Sequence, residues 1–288
     1  MSDKLAKVDI AIACSAHQIP DWWAAIMAML LYTNESGIVR IGKVRTVSSA
    51  LPDSNKNNTI GTTKKRWSLT DANRNEVTKG FIDEAAEWVF WIDDDTVPPV
   101  NAITHLVKLQ REFVAGLYFL PSKPFNPIAY KRHPNSGLYA PVYHYPKGAL
   151  FQVDSVGMGC TLIHRSVYEK IKDEHVVFER YNGSIFPVHK SQIKKPDIWQ
   201  HDTRRKPYVK KGLYQVQVVP VQEDDDRTFP YYLLEHGRTE DHHFCELAEN
   251  VGIKPYIDST ITCEHYKHQA TTVADYEREI QLAKEMRA

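Results

Sequence analysis

The sequence predicts an α/β fold built on a layered, largely parallel sheet. Two observations carry that expectation. Within the first 120 residues, short apolar runs rich in β-branched side chains alternate about four times with segments of helical spacing, the pattern of a sheet covered by helices. The third apolar run, WVFWI at 88–92, passes directly into Asp93-Asp94-Asp95. That is the end of a strand at which open α/β sheets place their ligands.

The elements follow in order. Residues 8–14 (VDIAIAC) read as a buried strand. Pro20 and Asp21 open a helix that carries Trp22 through Leu31, with Pro in the first turn and Asp at the positive end of the dipole. Residues 39–47 form a second strand, and the polar stretch 51–65 forms a loop. Ala72, Val77, Phe81 and Ala85 recur at near-helical spacing across 71–87. After the strand 88–92, Pro98-Pro99 stops the chain, 101–113 reads as a helix and 114–118 as a strand. Beyond residue 120 the texture changes to short strands (128–131, 139–145, 150–153, 160–163) parted by Pro and Gly. Residues 190–211 are polar and basic and read as a loop or flap. Residues 240–251 form a helix ended by Gly252 at a C′ position, and 273–286 form an amphipathic terminal helix.

Composition excludes several classes. The 288 residues hold 36 Lys plus Arg and 36 Asp plus Glu, so a globally basic nucleic-acid binder is not expected. A charged fraction of 25% and a hydrophobic fraction of 42% exclude wholesale disorder. Cys14, Cys160, Cys245 and Cys263 form no CxxC pair and no zinc spacing, which predicts free, mostly buried thiols in a reducing compartment. The longest apolar run, 22–32, is too short to span a bilayer, and the first ten residues lack the apolar core of a signal peptide. A soluble, cytoplasmic protein is expected, with nothing to fix its oligomeric state. GxxxxGK[ST], HExxH and GxSxG are absent, and Gly157-Met158-Gly159 lacks the third glycine of a dinucleotide fingerprint.

Three segments can carry chemistry. Three adjacent carboxylates at 93–95 repel one another and are best tolerated beside a hard cation, which would in turn bridge a diphosphate; a solvated acidic turn is the bland alternative. Thr239-Glu240-Asp241 combines an N-cap with carboxylates at a helix N-terminus, where a carboxylate facing a cleft can serve as a base. His265 follows a predicted strand and is a candidate metal ligand among 13 histidines.

In order, the pieces ANRNEV (72–77), AEWVFWIDDDTVPP (86–99), VAGLYF (114–119), VDSVGMGCTLIHRSVYEKI (153–171) and TEDHHFCELAENVGIKPYID (239–258), followed by CEH, resemble the GT-A fold glycosyltransferases, especially the large inverting family. The likeness spans roughly 8–268. It implies a Rossmann-type, mostly parallel central sheet flanked by helices, with a decorated C-terminal half in a single domain over 1–288. Residues 1–120 would form the nucleotide-sugar half, 121–270 the acceptor and catalytic half, and 271–288 a C-terminal helix. It implies transfer of a sugar from a nucleotide-diphosphate sugar to a hydroxyl acceptor, with inversion and with Mn2+ or Mg2+ as cofactor. Asp93 and Asp95 match the DxD pair, with Asp95 the direct metal ligand, and His265 matches the late His of the metal site. Asp241 matches the catalytic base, with Glu240 beside it. Ser15, His17, Arg74, Asn75 and Asp94 fall in nucleotide-sugar-binding segments.

The acceptor would be a glycan or a hydroxymethylated DNA base. The stretch 190–211 holds eight Lys or Arg with Trp199 and Tyr208 between them. Arg204, Arg205, Lys210 and Lys211 are candidate acceptor contacts, unless they pair with the acidic run 223–226. Two other classes remain open: a haloacid-dehalogenase-like phosphatase using Asp93 as nucleophile, and a non-catalytic nucleic-acid or glycan-binding protein.

Overall fold

The computed structural model describes residues 5–14, 20–48, 69–180, 185–193, 208–211, 214–220, 228–234, 238–266 and 270–285. The first half runs β1 (Ala6–Cys14), α1 (Pro20–Glu35), β2 (Val39–Ser48), α2 (Leu69–Ile82), β3 (Trp88–Asp93), β4 (Thr96–Val97), α3 (Ala102–Lys108) and β5 (Phe113–Leu117). Then come β6 (Ala129–Arg132), β7 (Tyr139–Pro141), β8 (Leu150–Gln152), β9 (Ser155–Val156), β10 (Cys160–His164), α4 (Arg165–Glu174), β11 (His175–Arg180) and β12 (Ile185–His189). The chain continues through β13 (Tyr208–Lys211), β14 (Tyr214–Pro220), α5 (Glu240–Asn250), β15 (Tyr256–Thr262), β16 (Glu264–Tyr266), β17 (Ala270–Thr271) and α6 (Val273–Glu285).

The fold is α/β. The central sheet has the order β2-β1-β3-β10-β5-β15-β8. Strands β2, β1, β3, β5 and β15 run one way, and β10 and β8 run against them. Strand alternation divides the core into two layers. Val89 and Trp91 of β3 face one layer, with Val77 and Phe81 of α2, Val167 and Tyr168 of α4, and Phe244 of α5. Trp88, Phe90 and Ile92 face the other, with Trp22 and Ile26 of α1 and Ile103 and Leu106 of α3. Burial on both faces explains why β3 reads as an unbroken apolar run. Each fully buried side chain of this size contributes about 1.5–3 kcal/mol. Three smaller sheets, β12-β11-β14-β13, β17-β16-β4 and β7-β6-β9, decorate the second half.

Several expected boundaries move. Helix α2 stops at Ile82 rather than at 87 because Arg165 closes it. Its guanidinium donates to the carbonyls of Phe81 (2.9 Å), Ile82 (2.7 Å), Glu84 and Ala86 (2.8 Å), satisfying groups that a helix end leaves open. Helix α3 ends at Lys108, short of 113, with Gln110 at φ 50° and Gln110 N–H returning to Val107 O at 3.1 Å. The strand expected over 139–145 is three residues long. Helix α4 follows the strand expected over 160–163, in a segment for which no element was expected; it starts where the His164 ring accepts from Ser166 N. Gly252 does end α5, at φ +80°, with Ile253 N donating to Ala248 O at 2.9 Å. The basic stretch is not wholly a loop: residues 190–192 form a 3-10 turn, and Lys210 and Lys211 stand on β13, paired with β14. The loop expected over 51–65 lies outside the described residues.

Candidate active site

Strand β3 delivers Asp93 to the C-terminal end of the sheet, and the turn Asp94-Asp95 leads into β4. Trp22 fixes that turn from α1. Its indole N–H lies 2.9 Å from Thr96 O and 3.2 Å from Asp93 O. The three carboxylates meet different surroundings: Asp94 is buried, Asp93 is partly buried, and the Asp95 side chain is 41% exposed.

Arg74 is the hub. It rises from α2, is buried, and stands over the Trp91 ring at 5.4 Å. Its Nη2 donates to Asp93 Oδ1 at 2.9 Å. Its Nε lies 3.6 Å from both Glu240 Oε1 and Asp241 Oδ1 at the start of α5. One guanidinium thus joins carboxylates from β3 and α5. Burial alone would lower its pKa, but Asp93, Asp241 and Glu240 outweigh burial and hold the charge on. Nε and Nη1 of Arg74 and Oδ1 of Asp241 are buried with no hydrogen-bond partner among the described residues. Such groups are costly, and they mark a site built for something beyond its own side chains.

Asp241 is pushed up to about 8, first by burial and then by Glu240 and Asp93, against the pull of Arg74. Its Oδ2 accepts from Met158 N at 3.4 Å. A carboxyl poised near neutrality can take a proton from a hydroxyl and release it again. Thr239 caps α5, accepting from His242 N at 3.4 Å, so capping and site chemistry share this terminus.

His265 sits on β16 opposite Thr96 of β4. Its Nδ1 lies 2.7 Å from Phe119 O; a carbonyl only accepts, so Nδ1 carries a proton. Nε2 then faces Asp95 Oδ2 at 3.3 Å. Burial lowers the imidazole pKa, but Asp95 and the Phe119 carbonyl outweigh it and the net shift is upward. Nε2 is either protonated against Asp95 or shares a cation with it. Among the described residues no three His, Cys, Asp or Glu side chains form a cation cage, and Asp93 is engaged by Arg74. The pair fits a cation that takes its remaining ligands from substrate phosphates and water, as small divalent cations do.

Asn75, expected in a nucleotide-sugar-binding segment, bonds the backbone of Tyr232. Its Nδ2 donates to Tyr232 O at 2.7 Å and its Oδ1 accepts from Tyr232 N at 2.9 Å, so it clamps the segment 228–234 onto α2. Below Arg74, Trp91 Nε1 donates to Tyr168 Oη at 2.8 Å, and Tyr168 Oη lies 3.0 Å from Tyr232 Oη. Ser15, His17, Arg204 and Arg205 lie outside the described residues. Lys210 and Lys211 belong to the separate four-stranded sheet.

Sequence reasoning missed Tyr118. Its buried hydroxyl accepts from Gly159 N at 2.9 Å, and its ring meets the His265 ring edge-on at 5.3 Å. A Cβ on Gly159 would come within 2.8 Å of that hydroxyl, so Gly157-Met158-Gly159 serves close packing and presents Met158 N to Asp241. The available signal was a Gly-x-Gly between short strands, which has meaning only once its tyrosine is known.

No protein-family model and no curated protein matches the sequence. Among solved structures, the crystal structure of A197 from STIV is similar at TM-score 0.45 and 12% identity, over 93% of this chain and 91% of that one. The crystal structure of GalNAc-T7 with UDP, GalNAc and Mn2+ is similar at TM-score 0.39 and 11% identity, over 96% of this chain and 48% of that one. Both TM-scores lie below 0.5 and bring neither a family nor a chemistry to this chain. No helix among the described residues is long and apolar enough to cross a membrane.

Proposed function

We propose that the chain is a divalent-cation-dependent glycosyltransferase that moves a sugar from a nucleotide-diphosphate sugar to a hydroxyl acceptor, with inversion. The observation that carries this reading is the convergence on Arg74 of Asp93 from β3 and of Glu240 and Asp241 from α5. The donor half is residues 1–120 and the acceptor half 121–270, within one domain over 1–288.

Asp95 and His265 would hold Mn2+ or Mg2+, which supplies charge neutralisation for a departing diphosphate. The chain's own groups do the rest. Asp241 accepts the proton of the acceptor hydroxyl as that oxygen bonds the anomeric carbon and the bond to the diphosphate breaks. Arg74 keeps the Asp241 carboxylate compensated while it is ionised, and Met158 N orients it. Asp93 orients Arg74. That bond also counts against Asp93 as a phosphatase nucleophile, because the carboxylate is already engaged.

Asp241→Asn tests the reading. It keeps the size of the side chain but takes no proton, so turnover falls by roughly 10²-fold or more with little change in donor affinity. The product carries the inverted anomeric configuration. Retained configuration, or turnover unchanged in Asp241→Asn, overturns the assignment of the base.

A further inference from the structure

We infer that His175 and His189 form a second cation site, separate from Asp95 and His265, for a borderline divalent ion such as Zn2+. The two histidines stand directly opposite each other on the antiparallel pair β11–β12, where facing side chains share one side of the sheet. Their ring centroids lie 5.1 Å apart, with the planes at 81°. Two imidazoles bound through nitrogen to one tetrahedral zinc, at about 2.0–2.1 Å each, place their centroids about 5 Å apart.

Hydrogen bonds prepare both rings. His175 Nδ1 lies 2.7 Å from Ile171 O in α4; a carbonyl only accepts, so Nδ1 carries a proton and Nε2 presents a lone pair. His175 is 5% exposed, and its Nε2 is buried with no hydrogen-bond partner among the described residues. An orphaned lone pair at this depth is costly, and a cation would satisfy it. Burial lowers the His175 pKa against the pull of the Ile171 carbonyl, and His189 adds to the lowering, so the ring is neutral at pH 7, as a metal ligand must be. The charged neighbours Glu174 and Lys190 act on it with opposite signs. His189 is partly exposed and opens the pair to solvent. Its Nδ1 accepts from Ser191 N at 3.2 Å and lies 2.7 Å from Ser191 Oγ. When Nε2 takes a cation, the proton moves to Nδ1 and is donated to Ser191 Oγ. Each ring then holds the cation on Nε2 and an oxygen partner on Nδ1–H, the arrangement that orients ligating histidines.

Chemistry selects the ion. Two neutral imidazoles, with no third His, Cys, Asp or Glu completing the set among the described residues, suit Zn2+, Cu2+ or Ni2+ rather than Mg2+ or Mn2+, and water fills the other positions. The location gives such an ion a purpose. Among the described residues the four-stranded sheet has a small core, Phe178 and Val188 with Val176, Phe186 and Ile193 packed alongside. A cation there ties β12 to β11 and, through the Ile171 carbonyl, to α4, and a small core gains most from a staple.

Isothermal titration of the chelator-stripped chain with Zn2+ near neutral pH tests this, beside His189→Asn and Asp95→Ala. Asn keeps an oxygen that can accept from Ser191 N, so the cap survives while the imidazole is lost. Asp95→Ala removes any Zn2+ held with His265. The wild type and Asp95→Ala bind Zn2+ and melt higher with it, and Mn2+ at the same concentration does not compete. His189→Asn binds Zn2+ at this pair roughly tenfold or more weakly and loses the rise in melting temperature. Should His189→Asn melt early without metal, 15N NMR of the wild type reads the site directly, since Zn2+ moves the His175 Nε2 resonance. Zn2+ binding that is unchanged in a folded His189→Asn or lost in Asp95→Ala, an unmoved His175 resonance, or no binding up to about 1 mM Zn2+ overturns the inference.

Discussion

Asp241 holds its proton into the neutral range because burial and two neighbouring carboxylates act against a single guanidinium. A folded-state pKa raised to about 8, against 3.8 in the unfolded chain, means that the native state binds the proton more tightly. This group therefore costs stability progressively as pH rises from the unfolded value to the folded one, and the cost is constant above. Asp241→Asn removes it. The variant should melt above the wild type, with a gap that widens from pH 5 to about pH 8 and then stays flat; calorimetry across that range checks it. A gap that narrows with rising pH contradicts the environment described for Asp241. At this scale the acidic candidates were legible, since carboxylates after an apolar strand and at a helix N-terminus announce themselves locally. Arg74 was legible only as a neighbour of the nucleotide. Its role as a hub depends on contacts to residues 19 and 167 positions away, of which local patterning carries no trace. The contact of Asn75 was illegible for the same reason, because its partner Tyr232 is 157 positions distant.

At the scale of elements, α1 does more than cover a sheet. The Trp22 indole holds two carbonyls of the turn that carries the three aspartates. Trp22→Phe keeps most of the apolar contact but removes the donor. The Thr96 and Asp93 carbonyls then lose that bond, at a cost of about 1–3 kcal/mol measured by urea unfolding. The loosened turn should also weaken Mn2+-dependent nucleotide binding. A variant as stable as the wild type would show that the indole does not secure the turn. The strands and most helices of the first half were legible because both-face burial writes continuous apolar runs and one-face burial writes helical spacing. Helix α4 was not: His164 is an unusual cap, and the helical spacing of Val167, Tyr168 and Ile171 spans barely more than one turn. The end of α2 was set by Arg165, 83 residues beyond Ile82, and no signal near residue 82 records it.

Across the whole molecule, strand order assembles the site. Strand β10 inserts antiparallel between β3 and β5, and β15 follows β5, so segments near residues 93, 118, 158 and 241 meet at one end of the sheet. The α/β class and the predominance of one strand direction were legible in the alternation of elements. The position of β10 was not, because an antiparallel insertion leaves the hydrophobic period unchanged. The same end of the sheet carries Asp95 and His265, whose facing Oδ2 and Nε2 atoms are the ground for a cation between protein and diphosphate. The most direct test is a thermal-shift panel of nucleotide-diphosphate sugars, with and without Mn2+, on the wild type and on Asp95→Ala. Binding to the native state raises the melting temperature. The expected result is a rise of several degrees with one donor only when Mn2+ is present, and loss of that rise in a folded Asp95→Ala. A shift independent of Mn2+ and equal in Asp95→Ala, or no shift with any donor, would contradict it.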